Sequence, residues 1–195
     1  MILKSYEINK INQNINHLIL FYGKNEGLKN EALNILIKDK NILKYDEKEI
    51  LDNENNFIEN ILSKSLFEQQ KSIVIRRATD KILRIIEILC LKDLEDTKII
   101  LSSDNLEKKS KLRSFFEKDK KLVCIPFYPD NDQTLSKLAY EFLRDNKISI
   151  SPSNINLIVN KCNGDRETLI NELEKIKYFS KSGKKISSEN ISKLI

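Results

Sequence analysis

Nine residues, Tyr22-Gly23-Lys24-Asn25-Glu26-Gly27-Leu28-Lys29-Asn30, join an apolar run to a helical pattern. A strand feeding a helix through a glycine-containing turn is the setting of a phosphate-binding loop, so the stretch is compared with GxxxxGK[ST]. Gly23 falls on the first glycine and Lys29 on the lysine. Leu28 stands at the second glycine, where a side chain crowds the backbone approach to phosphate. Asn30 stands at the Ser/Thr position and lacks the hydroxyl that ligates Mg²⁺. The plainer reading is that Gly23 permits a tight turn and Lys29 is a solvated helix residue.

Nucleotide hydrolysis also needs carboxylates at the end of a neighbouring strand to hold the metal. The run Ser72-Ile73-Val74-Ile75 is followed instead by Arg76, Arg77, Ala78 and Thr79, cations where acids are required. The sequence therefore predicts a degenerate loop, no catalytic residues, no cofactor and no metal. Cys90, Cys124 and Cys162 are far apart and His17 is the single histidine, so a four-ligand zinc site would consume all of them. Buried reduced thiols are the expectation.

The elements that position these residues fall into two regimes, with the change near Pro126 and Pro129. Before it, five apolar runs predict strands: 18–22, 43–45, 72–75, 98–101 and 122–125. Helical patterns lie between them, as in a parallel sheet with crossover helices. The continuous branched residues of 72–75 and 98–101 suit strands covered on both faces. Asp80 is expected to cap the apolar segment 82–91, and the acidic stretch 46–54 to be a solvated loop or strand margin. Phe57, Ile58, Ile61 and Leu62 share one helix face.

After the prolines the pattern is helical throughout. Leu135, Leu138, Ala139, Phe142 and Leu143 form one apolar stripe. Ser151 and Pro152 start a second helix, which buries Ile155, Ile158, Val159 and Cys162 and stops at Gly164. Asp165 caps a third with Leu169, Leu173 and Ile176 inward, and a fourth segment starts near Ser188. No apolar run reaches the roughly 20 residues of a membrane span and no signal-peptide pattern opens the chain. A cytoplasmic protein without membrane contact is expected. The net charge of +5 over 195 residues comes with heavy lysine use throughout, which reads as basic charge spread thinly and not as a nucleic-acid face.

Several stretches together resemble the delta subunit of the bacterial DNA polymerase III clamp loader, of the AAA+ group. They are Leu18 to Gly23, Ser65-Leu66-Phe67 followed by Ser72 to Arg76, Lys98 to Leu101, Leu106 to Leu112 as the helix after that strand, and Gly164-Asp165 with Leu169, Glu172, Leu173, Glu174 and Lys175. Their order spans nearly the whole chain. The resemblance implies an α/β fold: an AAA+-like parallel sheet domain with a degenerate P-loop over residues 1–128, then a small three-helix lid domain over 129–195. It also implies a non-catalytic subunit that binds the sliding clamp and helps open it. The family's C-terminal collar domain has no counterpart here, so the chain is expected to be a monomer alone, to join other clamp-loader subunits only in a longer form, and to meet DNA only indirectly.

Leu66 and Phe67 sit side by side in a polar connector. From the residues alone, packing back onto the sheet is favoured. The family's clamp wedge is a Leu-Phe pair at this place, and on that resemblance both are assigned to clamp binding. Two other functions stay open: a P-loop ATPase subunit that uses Gly23 and Lys29, and a nucleic-acid-binding module that uses Arg76, Arg77, Lys81 and Arg84.

Overall fold

The computed structural model describes residues 1–12, 15–37, 42–63, 71–94, 97–181 and 186–194. These divide into two compact units, residues 1–24 with 28–127, and residues 25–27 with 128–195.

The first unit is an α/β sheet layer. Its strands are β1 (Leu18–Tyr22), β2 (Ile42–Asp46), β3 (Lys71–Arg76), β4 (Thr97–Ser103) and β5 (Val123–Pro126). All pair in parallel in the order β2-β3-β4-β1-β5. Each of the five apolar runs forms a strand. β1 is buried at every position, and Ile73, Val74 and Ile75 of β3 and Ile99, Ile100 and Leu101 of β4 are equally enclosed. Such runs can have no polar alternation, because both sheet faces are covered. One face packs Ile82, Ile85, Ile86, Leu89, Leu112 and Phe116 against β1, β3 and β4. The other packs Leu3, Ile8, Ala32, Leu36 and Phe127 against Ile19, Phe21, Val74 and Ile100.

The helices of this unit are α1 (Glu26–Leu36, its head at residues 26–27 grouping with the second unit), α2 (Glu47–Asp52), α3 (Glu54–Leu62), α4 (Leu83–Cys90) and α5 (Lys111–Lys118). Residues 47–52 are thus helical, where the sequence suggested a solvated loop. The Glu49 carboxylate accepts from the Asp46 N–H at 2.8 Å, and Ile50 is buried against the core. That reciprocal bond satisfies a donor that the helix start leaves open.

Asp80 caps a helix, but not the expected one. Thr79 caps the 3₁₀ turn that leads into α4, accepting from the Lys81 N–H. The Asp80 carboxylate reaches across to α5, accepting from the Ser110 hydroxyl at 2.6 Å and from the Leu112 and Lys111 amides at 3.0 and 3.1 Å. Burial pushes this carboxyl up, but the Ser110 hydroxyl, the two amides and the Lys111 charge outweigh it and hold it below its ordinary value. The stretch from Leu106 to Leu112 therefore supplies only the N-cap, Ser110, and the first two residues of α5.

The second unit is helical: α6 (Asp132–Asp145), α7 (Pro152–Lys161), α8 (Arg166–Lys181) and the short α9 (Ser188–Leu194). Leu135, Ala139 and Leu143 meet Ile155, Ile158, Val159, Leu169, Leu173, Ile176 and Ile191 in one core. Leu138 and Phe142 lie at its margin. Ser151 caps α7 through the Asn154 N–H, and Asn163 and Gly164 stop it with positive φ, 48° and 82°. A left-handed residue after the last turn is the usual way to end a helix.

Candidate functional site

The loop after β1 is fixed by contacts to the ends of neighbouring strands. Gly23 has φ 124°, and a Cβ placed there would lie 2.1 Å from the Phe127 carbonyl oxygen. Only glycine fits both the backbone conformation and the close approach. Its N–H donates to the Asp104 carbonyl at 3.1 Å, and the Phe127 N–H donates to the Tyr22 carbonyl at 2.7 Å. The loop is closed onto the segments that follow β4 and β5.

Lys29 is not a solvated helix residue. It is 1% exposed, and its Nζ donates to the backbone carbonyl of Ser103, the last residue of β4, at 2.9 Å. A buried ammonium is stable only where such acceptors take its protons. In a phosphate loop the same amine and the loop N–H groups point at the nucleotide. Here Lys29 Nζ donates to Ser103 at the end of β4 and the Gly23 N–H to Asp104 just after it. The Ser103 hydroxyl beside them is fully buried and makes no hydrogen bond among the described residues.

Arg76, the last residue of β3, and Arg77 after it share a partner that the structure makes visible. Asp46 and Arg76 face each other in the β2–β3 register. Arg76 Nε lies 3.1 Å from Asp46 Oδ1, and the Arg77 guanidinium donates to Asp46 Oδ2. Arg77 adopts φ 56°, a left-handed conformation that is uncommon for a side-chain-bearing residue. The neighbouring Glu47 is buried and accepts from the Thr79 N–H at 2.6 Å and from the Thr79 hydroxyl. Asp46 and Glu47, at the end of β2, are thus turned to protein partners, while Asp104, which follows β4, is exposed. Among the described residues no cluster of three or more His, Cys, Asp or Glu could hold a metal ion. Lys81 and Arg84 are exposed and make no ion pair among those residues.

Within the second unit, Asp130 is nearly buried and gathers several donors. Asn25 Nδ2 reaches it at 2.8 Å, the Thr134 hydroxyl at 2.7 Å and the Arg166 guanidinium at 3.3 Å. Sequence reasoning missed this node, because Asn25 and Asp130 are 105 residues apart.

A cavity of about 350 Å³ opens at the other end of β1, lined by Leu18, Leu89, Leu94 and Leu122 with His17 and Cys90. Asp93, Asp119, Lys92 and Lys121 also line it, so it has no single charge preference. Burial, then the Asp119 and Glu87 charges, push the Cys90 thiol up to about 11. Burial, then the Glu117 charge, push Cys124 up to about 12. Burial also raises the Cys162 thiol. Leu66 and Phe67 lie outside the described residues.

No protein-family model and no curated protein matches the sequence. Solved structures do match in fold. The Bacillus subtilis DNA clamp loader delta protein superposes with a TM-score of 0.63 at 15% identity, covering 97% of this chain and 60% of that one. Domain III of the Thermotoga maritima replication initiation protein DnaA gives 0.54 at 14% identity, covering 98% and 88%. The Thermotoga maritima RuvB Holliday junction branch migration motor gives 0.58 at 14% identity, covering 97% and 63%. The chain thus spans about three fifths of the length of the delta protein. The chain shares the fold of these proteins, an α/β parallel sheet with a helical unit after it, which is the fold the sequence resemblance implied.

Proposed function

We propose that this chain is a non-catalytic subunit of the clamp-loader type, which grips the DNA polymerase III sliding clamp and helps open it during replication. The observation that carries the proposal is the contact between Lys29 Nζ and the Ser103 carbonyl, in an AAA+-type fold. The amine that would meet a nucleotide holds two elements of the protein together instead. The pairing of Asp46 with Arg76 and Arg77 supports the same reading, since it leaves that carboxylate poorly suited to a metal. With Lys29 and Asp46 engaged in this way, the role proposed for the chain is binding and not hydrolysis.

Leu66 and Phe67 are the assigned clamp contacts, resting on the sequence resemblance. They lie between α3, which ends at Leu62, and β3, which begins at Lys71. Two large apolar side chains seated in a partner's pocket contribute about 1.5–3 kcal/mol each from area, enough for a small hot spot. Titration of the sliding clamp with the chain and with its Leu66→Ala/Phe67→Ala variant tests the assignment. The expected loss is at least ~2 kcal/mol, roughly thirtyfold in Kd, with the melting temperature little changed. A stable variant with undiminished clamp affinity would overturn it, as would Mg²⁺-dependent ATP turnover by the pure chain for the non-catalytic role.

A further inference from the structure

The positive charge of this protein is concentrated, contrary to the even spread that the lysine content suggests. Residues 108–121 hold seven Lys or Arg and two Asp or Glu, a net +5, while the other 181 residues hold 27 of each sign. The net charge of the whole chain therefore resides in α5 and the residues that flank it.

We propose that this lysine-rich stretch is a contact surface for the phosphate backbone of duplex nucleic acid. Its cations are available. Lys108, Lys111, Lys118, Lys120 and Lys121 are exposed, and none forms an ion pair among the described residues. In the second unit, by contrast, Lys137, Lys175, Lys177 and Lys193 each pair with a carboxylate three or four residues away. Two further cations of the stretch are engaged. Lys109 meets Glu107, while Arg113 donates to Glu117 and lies over the Tyr22 ring.

The helix that carries Lys111 and Lys118, and that Lys108, Lys120 and Lys121 flank, is held by its core face and by its capped start. Leu112 and Phe116 anchor α5 in the core, and Ser110 and Asp80 cap its first turn. Lys111 and Lys118 are seven residues apart, so they share a face about 10 Å apart along the axis. Duplex DNA presents one negative charge per roughly 1.7 Å of its axis, about six over that length.

The surroundings favour nucleic acid over other polyanions. Lysine is depleted at protein–protein interfaces, which need an apolar anchor, and of the large apolar side chains of α5 Leu112 and Phe116 are fully buried and Phe115 partly so. A membrane-surface helix needs a broad exposed apolar face to insert, whereas in α5 Leu112 and Phe116 are fully buried and Phe115 is partly buried against the same core. Backbone phosphate contacts need only placed cations.

The test is fluorescence anisotropy of the chain with a 20-base-pair duplex of arbitrary sequence, titrated between 50 and 200 mM KCl. Five phosphate contacts give a log–log salt slope of about −4.5, a loss of roughly 500-fold over that range. The variant Lys111→Gln/Lys118→Gln/Lys120→Gln/Lys121→Gln should bind weakly with a slope near −1. Its all-arginine counterpart should bind like the parent, and Lys137→Gln/Lys175→Gln/Lys193→Gln should change nothing. If circular dichroism shows the four-glutamine variant unfolded, Lys120→Glu/Lys121→Glu, outside the helix, should still flatten the slope by about two. A parental slope in the glutamine or glutamate variants of the stretch, an equal loss in the second-unit variant, or capture by phosphatidylserine vesicles without duplex binding at 50 mM KCl would each overturn the proposal.

Discussion

Lys29 Nζ and the Ser103 carbonyl oxygen stand 2.9 Å apart in a fully enclosed contact, joining the helix after β1 to the end of β4. This reverses the simplest expectation for Lys29, a dispensable surface residue. Lys29→Ala removes a charged donor from a buried acceptor and leaves a void, which should cost about 2–4 kcal/mol. Lys29→Met keeps most of the volume and should cost less. Urea denaturation of both variants checks this, and an unchanged midpoint for Lys29→Ala would contradict it.

Ser103→Ala should behave in the opposite way. Its hydroxyl is buried without a hydrogen bond among the described residues, so its removal relieves a desolvation penalty. Stability should be unchanged or higher by up to about 1 kcal/mol in the same denaturation series.

Gly23→Ala places a Cβ 2.1 Å from the Phe127 oxygen at φ 124°. Neither the backbone carbonyl nor the alanine conformation can yield cheaply, so a loss of more than about 3 kcal/mol is expected. Gly164→Ala meets no atom within 4 Å and carries only conformational strain at φ 82°. It should be clearly milder in a thermal melt.

Asp80 makes stability depend on acid. Its folded carboxyl lies below the ordinary value, so the unfolded chain binds its proton more readily. The contribution is present above about pH 4, the unfolded carboxylate value, and is lost as pH falls through the folded one. Asp80→Asn should therefore lower stability at pH 7 and narrow the gap from the parent below pH 3. Denaturant midpoints measured across that range decide it.

The thiols should be unreactive in the native chain. Cys124 and Cys162 are buried and Cys90 half-buried, and all three titrate above their ordinary value. Maleimide labelling at pH 7.5 should modify Cys90 slowly and the other two only after unfolding. Rapid labelling of Cys124 would place β5 wrongly.

The sheet could be read from the sequence because strands buried on both faces carry an uninterrupted apolar signal, as Ile73 to Ile75 and Ile99 to Leu101 do. Helix α2 could not be read from periodicity, since Ile50 alone of its residues brings a fully buried apolar side chain to the core. The pair Asp46 and Glu49 was its available mark, a D-x-x-E start signal. The loop's position was legible in Gly23, but the burial of Lys29 was not. Lysine is rarely enclosed, and its acceptor lies 74 residues downstream. Asp80 misled for a related reason: a capping side chain shows where a helix can begin, and the helix it caps need not be the one that follows it in the chain.

The strand order has a consequence for how the chain acquires its structure. β1 leaves the ribosome before the other four strands, yet its sheet neighbours are β4 and β5, which begin at Thr97 and Val123. β2 and β3 are adjacent in both sequence and space, so they can pair while synthesis continues. Leu18 to Tyr22, the most apolar strand, must wait without a partner until about eighty more residues have been made. Closing so long a loop is slow relative to local pairing, and an unpaired apolar strand is prone to aggregation in that interval. Nascent chains halted before Thr97 should therefore be the ones that chaperones hold.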